Sequence, residues 1–369
     1  MRGAPDPDRG AIAFAEKLLT VLAEGRFTAT YKYAVLLGLM DLGLEHSSRT
    51  GAAPTSVTTR QLAEKVLELY WPHTIPWARA PGAVLKQNRQ GQAEILSLIR
   101  RFRERHAPDP TATLARAQGH APPRFERLVR QVEWKLVEMP LPRLQVIGDH
   151  EDPFIYRISW GDGIRKREFD DPEFFDNLIR FVGQAGDHLV RLAGLLRPLI
   201  QREWTALVAR FNQLPDVKLE EFLFGVDRAS LTAVREPLRE LAEGRCFYCG
   251  DRVRTRFEVD HFIPWARYPD NGLENLVVSD PGCNRYKFDH LAAGKHVETW
   301  LDRAESQASH LEAIAEEAHW ERHPARSLGV ARSIYLRLPA DAMLWQLGKR
   351  FVPVDRPGLT RVFAGAGQS

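Results

Sequence analysis

Sulfur is scarce in this chain, with three cysteines and four methionines among 369 residues. Three thiols cannot build the disulfide framework of a small secreted domain. Two of them are spaced Cys246-x-x-Cys249, which in a reducing compartment suggests metal. No apolar run approaches the roughly 18 residues a membrane helix needs, so no membrane partner is expected. The opening residues, MRGAPDPDRGAIAF, carry acids where a secretory leader has a basic end and an apolar core, which points to a cytoplasmic protein. A dominant charge is missing too. The 51 Lys and Arg against 48 Asp and Glu leave +3, which excludes a uniformly basic nucleic-acid coat but not a local patch. Lysine itself is rare, 10 residues against 41 arginines, and arginine is the better phosphate fork.

What is present is ordinary soluble material, 44% hydrophobic and 27% charged, long enough for two or three domains. Apolar spacing makes the first 105 residues helical, through Leu18, Leu19 and Leu22, then Ala34, Leu37, Leu39 and Leu42. Thr58 three residues before Gln61 is a capping-box signature, followed by Leu62, Val66 and Leu69 at helical spacing. The segments YKYAVLLGLMDLG and TTRQLAEKVLELY match either a helix-turn-helix unit or a plain scaffold. Residues 106–123, rich in Ala, Pro and Thr, are expected to be a loop or linker. They lie inside a basic stretch: residues 100–143 hold ten Arg and Lys against five Asp and Glu. Arg100, Arg101 and Arg103 are candidate phosphate contacts there, the alternative being a solvated helix face.

Phe154, Tyr156, Ile158 and Trp160 alternate before the turn Gly161-Asp162-Gly163, which predicts a β-hairpin over 152–170. Helical patterns resume from Phe174 to about Leu214, and again from Leu231 to Glu243. The expected organisation is a largely helical region over 1–235, a chemically distinct module over 236–300, and a helical extension over 301–369 with a flexible tail. His310, His319 and His323 in that extension are too dispersed to suggest metal.

Chemistry concentrates in residues 245–300. Cys246 and Cys249 form a knuckle able to grip zinc. Phe257–Ile263 has strand composition and stops at Pro264. Adjacent strand residues face opposite ways, so Asp260 and His261 can share one site only where the strand ends. Leu276-Val277-Val278 is a second short strand, and Asp280-Pro281 has the form of a helix start. Asn284 and Lys287 then share a helix face.

In this order the window resembles the HNH nuclease family, with its ββα-metal fold. The matching residues are Cys246-x-x-Cys249, Asp260-His261 with Pro264, Asn275-Leu276-Val277, and Cys283-Asn284 with Lys287. His261 to Asn275 is fourteen residues, and Asn284 follows nine later. The fold class expected is therefore mainly α, with a small embedded ββα-metal module and a mid-chain β-hairpin.

The resemblance implies His261 as general base, with the Asp260 carboxylate and the Asn284 amide as ligands of one Mg²⁺ or Mn²⁺. It implies that Asn275 holds the loop and orients His261, and that Lys287 or Arg285 meets a neighbouring phosphate. Two features depart from the family pattern. The family's second Cys-x-x-Cys is Asp280-Pro281-Gly282-Cys283 here, so a structural Zn²⁺ would have Cys246, Cys249, Cys283 and Asp280. Alternatively Asp280 is only the helix cap, and His290, His296 or water takes its place, or no zinc is held at all. The third catalytic letter is Asn284 where histidine is common.

Residues 246–300 carry seven Arg and Lys against eight Asp and Glu, so the module needs help to hold a polyanion. Trp265 and Tyr268 are placed either to stack on bases or to pack the loop. The function implied is a metal-dependent endonuclease acting on nucleic acid, DNA first, in restriction or phage defence. The rivals are a catalytically silent zinc-stabilised module that binds nucleic acid or a partner, and a partner-activated RNA-cleaving effector.

Overall fold

In a computed structural model, the described residues are 7–24, 28–77, 83–147, 150–215, 219–225 and 231–366. The chain divides into two compact units: Met1–Gly43 with Ala53–Gly225, and Leu44–Ala52 with Val226–Ser369. Among the described residues no helix is long and apolar enough to cross a membrane.

The first unit is mainly helical. It opens with α1 (Pro7–Glu24) and all but the last two residues of α2 (Tyr31–Glu45), Leu44 and Glu45 belonging to the second unit; α2 is buried at every position from 33 onward. Strand β1 (Ser56–Thr58) leads into α3 (Thr59–Tyr70), which starts at the expected capping box: Gln61 N donates to Thr58 Oγ1 at 3.0 Å, and Thr58 N to Gln61 Oε1 at 2.8 Å. A Cβ on Gly38 of α2 would stand 2.8 Å from Leu62 of α3, so glycine permits their close approach. Every residue of α3 is buried or half-buried. The exposed polar atoms of α3 include those of Arg60, which pairs with Glu64 at 3.1 Å and with Glu126 at 2.6 Å.

Next come α4 (Glu94–His106), α5 (Leu114–His120) and α6 (Pro122–Glu138). Part of the expected linker is therefore helical; Thr113 Oγ1 caps α5 by accepting from Arg116 N. Short strands β2 (Val146–Ile147) and β3 (His150–Glu151) pair with each other.

The hairpin expected over 152–170 does not form. Strand β4 (Tyr156–Arg157) pairs with β5 (Leu178–Phe181), which also pairs β1. After the turn the chain enters α7 (Lys166–Phe169), where Glu168 Oε2 accepts from Arg165 N at 2.8 Å. The arm RKREFD is too polar for a return strand, and Phe169 buries with Val137 and Phe175 instead. The unit closes with α8 (Ala185–Arg191), α9 (Ala193–Asn212) and α10 (Leu219–Phe224). Trp204 of α9 sits among Tyr33, Tyr70, His73 and Phe224, its Nε1 donating to Gln87 Oε1 at 2.8 Å.

The second unit contains α11 (Thr232–Leu241), then antiparallel β6 (Glu258–His261) and β7 (Leu276–Ser279), then α12 (Pro281–Lys287). This is strand, long loop, strand, helix. It continues through α13 (Gly294–Ser306), α14 (Ala308–Ala318) and α15 (Pro324–Tyr335). An antiparallel pair, β8 (Met343–Leu347) and β9 (Arg350–Pro353), interrupts the expected run of helix before α16 (Arg356–Gly365). The end of the expected flexible tail, residues 367–369, lies outside the described residues.

These C-terminal elements fasten the long β6–β7 loop. Trp300 Nε1 donates to Glu274 O and Trp320 Nε1 to Asn271 O, both at 2.7 Å. Ser327 Oγ reaches Asp270 Oδ2 at 2.8 Å, and Arg322 pairs with buried Glu274 at 2.6 Å. Buried tryptophan N–H groups need acceptors, and loop carbonyls withdrawn from water need donors, so each bond satisfies both sides.

Candidate active site

Asp260 and His261 are the last two residues of β6, paired with Val277 and Leu276 of β7. The strand stops there because Pro264 cannot continue a ladder. Asp260 and His261 consequently line one cleft together, despite facing opposite ways in a regular strand. The cleft holds about 500 Å³ and is also lined by Glu258, Asn284, Arg285 and Phe288.

His261 Nε2 lies 2.9 Å from Asn271 Oδ1. An amide oxygen can only accept, so Nε2 carries the proton and the ring's lone pair is on Nδ1. Burial lowers the His261 pKa below its ordinary value, opposed by the Asn271 bond and by nearby carboxylates. The ring is thus neutral near pH 7 and able to take a proton. Asn275 is fully buried: Oδ1 accepts from Ile263 N at 2.7 Å, and Nδ2 donates to Ile263 O and Asp270 O at 3.2 and 3.0 Å. It pins both ends of the loop, while the direct partner of the His261 ring is Asn271. Sequence reasoning missed Asn271; its one signal was an Asn-Gly pair inside the loop.

Both close polar contacts of the Asp260 carboxylate fall on Oδ2: Tyr248 Oη donates at 2.5 Å and Lys287 Nζ lies at 3.0 Å. Lys287 is completely buried, and its ammonium also donates to His261 O at 2.8 Å. Burial pushes its pKa down and Asp260 opposes that shift. The expectation that Lys287 meets a phosphate is therefore corrected. It braces the site from behind, because a fully buried ammonium must be paired and hydrogen-bonded within the protein. Asn284 Nδ2 donates to Glu258 Oε2 at 2.5 Å. That bond commits the NH₂ group and makes Oδ1 the atom available to a cation. Glu258 and Tyr248 are further residues that the sequence did not single out.

The sulfur atoms of Cys246, Cys249 and Cys283 all lie within 4.8 Å of one another. Tetrahedral zinc with bonds of about 2.3 Å places its sulfurs roughly 4 Å apart, so the three thiols fit such an ion. Burial and mutual proximity raise the pKa of Cys249 and Cys283. A cation among them would remove that repulsion.

The expected fourth ligand, Asp280, stands outside this group. Its Oδ1 accepts from Gly282 N at 2.7 Å and Cys283 N at 3.3 Å, as the N-cap of α12. The helix start explains this, since uncapped N–H groups there seek a carboxylate. His290 stands against Phe351, and His296 Nε2 lies 2.7 Å from Gln346 O, so neither joins the thiols.

Tyr268 is buried with its hydroxyl on Glu45, which makes it packing. Trp265 is half-buried on the cleft wall, its ring edge-on to His261 with centroids 5.2 Å apart. In the first unit Arg101 is exposed and Arg100 is paired with Glu104 at 2.7 Å. Arg103 is only 5% exposed and donates to the carbonyls of Trp71, Pro110 and Ala112. It is withdrawn from any phosphate by this buried network.

Residues 10–223, more than half of the chain, match the family described as Domain of unknown function (DUF8808). The chain belongs to that family. Residues 246–293 of this DUF8808 protein match the family described as HNH endonuclease, so it carries an HNH segment in its second unit. The chain is also similar to the CRISPR-associated endonuclease Cas9 of Streptococcus mutans serotype c (strain ATCC 700610 / UA159). The two are 24% identical over 164 residues, 41% of this chain and 12% of that protein. The DUF8808 chain thus spans a small part of that relative's length. No solved structure matches it.

Proposed function

We propose that this protein is an endonuclease that hydrolyses phosphodiester bonds in DNA, with Mg²⁺ or Mn²⁺ held by Asp260 and Asn284. The observation that carries this reading is the shared cleft of Asp260, His261, Asn284 and Arg285. Carboxylate and amide oxygens are the donors a hard cation prefers. Glu258, Asp260 and Asp289 all line the cleft, so a phosphate entering it meets negative charge that must be neutralised. A divalent ion bound there supplies that neutralisation at the phosphate and at the leaving oxygen.

The residues then divide the work. Asn271 holds His261 in the tautomer whose Nδ1 accepts a proton from water. The water oxygen forms a bond to phosphorus as the bond from phosphorus to the 3′ oxygen breaks. That oxygen takes up a proton, leaving 3′-hydroxyl and 5′-phosphate ends. Asn275 and Lys287 keep the end of β6 in place. Arg285 contacts a phosphate at the cleft wall, and Arg100 and Arg101 supply further basic surface. Cys246, Cys249 and Cys283 hold a structural Zn²⁺ completed by a fourth ligand from water or a nearby oxygen. The HNH resemblance, with its usual bacterial and phage company, is what suggests a cytoplasmic role in restriction or phage defence.

The test is a plasmid assay. Purified protein nicks or cuts DNA with Mg²⁺ or Mn²⁺, and His261→Ala lowers the rate about 10²–10⁴-fold, the usual worth of a general base. Equal cleavage by wild type and variant would overturn the role of His261. Cleavage of RNA alone would replace DNA as substrate, and binding without cleavage would replace the nuclease with a binding module.

A further inference from the structure

Phe288 follows α12 immediately and has a positive φ of +44°. Its N–H donates to Asn284 O at 2.9 Å, which closes the helix. With ψ of −125° this is not the common αL helix end but a rarer backbone that glycine adopts readily and an L side chain does not, because the Cβ is strained there. Among the described residues the other non-glycine positions with positive φ are Asn177, Gln213, Glu243 and His319. All four are polar, and the last three also end helices or turns facing water. Phe288 is aromatic and 70% exposed. It therefore gains little from burial while its backbone is strained. Glycine would relieve the strain and a polar side chain would suit the exposure, so the fold alone accounts for neither property. Strain of this sort concentrates where it serves a site.

The ring's position supplies the use. Phe288 lines the cleft that holds Asp260, His261 and Asn284, beside the exposed cation of Arg285. Half-buried Trp265 lines the same cleft. Each phosphate in a nucleic acid is flanked by bases, so an aromatic face beside a phosphate site meets a base. In a duplex those faces are covered by neighbouring bases, whereas an unpaired or displaced strand leaves them open.

We propose that Phe288 is a nucleobase-stacking subsite, which receives an unpaired base flanking the scissile phosphate. The substrate class this defines is a locally single-stranded or displaced DNA strand. The inference rests on the nuclease reading above and goes beyond it by assigning strand state and the residue that senses it.

The experiment uses the full chain with His261→Ala, so that binding is measured without cutting. The probe is a DNA oligonucleotide containing 2-aminopurine, whose fluorescence is quenched on stacking, presented single-stranded and as a duplex. The single strand is expected to bind with quenching. Adding Phe288→Ala weakens binding about 5- to 100-fold, the range that loss of one base–aromatic stack implies. Phe288→Trp retains affinity and quenching. Phe288→Leu, which keeps apolar bulk but lacks a π face, loses both, and duplex affinity stays unchanged throughout. Phe288→Gly removes the backbone strain, so it folds at least as stably as wild type and still loses the single-strand binding.

Equal single-strand binding by wild type, Ala and Leu variants would overturn the proposal, as would full retention by Leu alone or failure to bind any strand. If the wild type cuts no nucleic acid while these binding differences hold, the nuclease reading fails and the stacking subsite stands. If it cuts and the variants bind alike, the stacking subsite alone fails.

Discussion

Tyr248 Oη donates to Asp260 Oδ2 at 2.5 Å from inside the Cys246-x-x-Cys249 knuckle. One side chain thus joins the thiol cluster to the carboxylate expected to hold the catalytic ion. Tyr248 is buried and its ring stands edge-on to Trp345 of β8, centroids 5.1 Å apart. Burial beside a carboxylate pushes the phenol pKa well up, so the hydroxyl remains a donor throughout the working range. The knuckle's position is transmitted to Asp260 through a rigid ring with no solvent between.

Tyr248→Phe keeps the packing and deletes that donor. Losing a partner of a metal-binding carboxylate typically costs 10- to 100-fold in metal affinity or activity. The Mg²⁺ concentration for half-maximal cleavage is expected to rise by about that factor. A titration of rate against Mg²⁺ checks it, and an unchanged midpoint would show that Lys287 alone positions the carboxylate.

Asn271 offers a second handle, because its amide sets the tautomer of His261. Asn271→Ala leaves Nε2 without its acceptor, so part of the population places the proton on Nδ1, where it blocks the base. The expected kcat lies between wild type and His261→Ala, down by roughly 10-fold or more, since a general base is worth about 10²–10⁴ in all. KM stays near wild type, as Asn271 touches no substrate in this reading. Single-turnover cleavage at saturating DNA measures it, and a selective rise in KM would contradict the assignment.

The thiol cluster yields a third prediction, independent of catalysis. Purified protein contains one zinc per chain by elemental analysis, and Cys249→Ser loses it. Removing the ion deletes the metal–thiolate bonds that would tie the knuckle to α12 and leaves protonated thiols, so a chelator lowers the melting temperature of the second unit. Full folding with no bound zinc would dismiss the metal and leave the cysteines as core residues.

How much of this was legible beforehand follows from the range of each interaction. Asp260, His261, Asn275 and Asn284 belong to one local ββα segment, where the proposed metal chemistry would restrict residue types and the fold restricts spacing. Tyr248, Glu258 and Asn271 act through placement within the folded unit, and their residue types are common on any surface. The C-terminal helices carried no chemical signature, yet Trp300, Trp320 and Ser327 anchor the loop that bears Asn271. Period-two spacing at Phe154–Trp160 correctly marked a strand at Tyr156. It could not name the partner, Leu178–Phe181, because pairing depends on both strands and on what lies between. Counting charge over 100–143 likewise ignored direction.

Arg103 shows what direction decides. In α4 the buried positions Ile95, Leu96, Ile99, Phe102 and Arg103 form one stripe at helical spacing, so Arg103 points inward. Its guanidinium lies over the Trp71 ring at 4.4 Å and donates to the Trp71 carbonyl at 3.0 Å and the Pro110 carbonyl at 2.8 Å. Burial lowers its pKa to about 10, still far above neutrality, so it remains a cation within this cage of acceptors. Arg103→Ala strands several buried carbonyls and opens a gap beside Trp71. A loss of at least about 2 kcal/mol of stability follows, since bonds from charged donors contribute about 1.5–3 kcal/mol each. Arg101→Ala, at an exposed position, changes stability by less than about 0.5 kcal/mol and weakens DNA binding with a shallower salt dependence. Urea unfolding and binding measured across salt concentrations separate the two arginines. An Arg103→Ala protein as stable as wild type would contradict the buried network, and an Arg101→Ala protein with unchanged salt dependence would remove that residue from the DNA-binding surface.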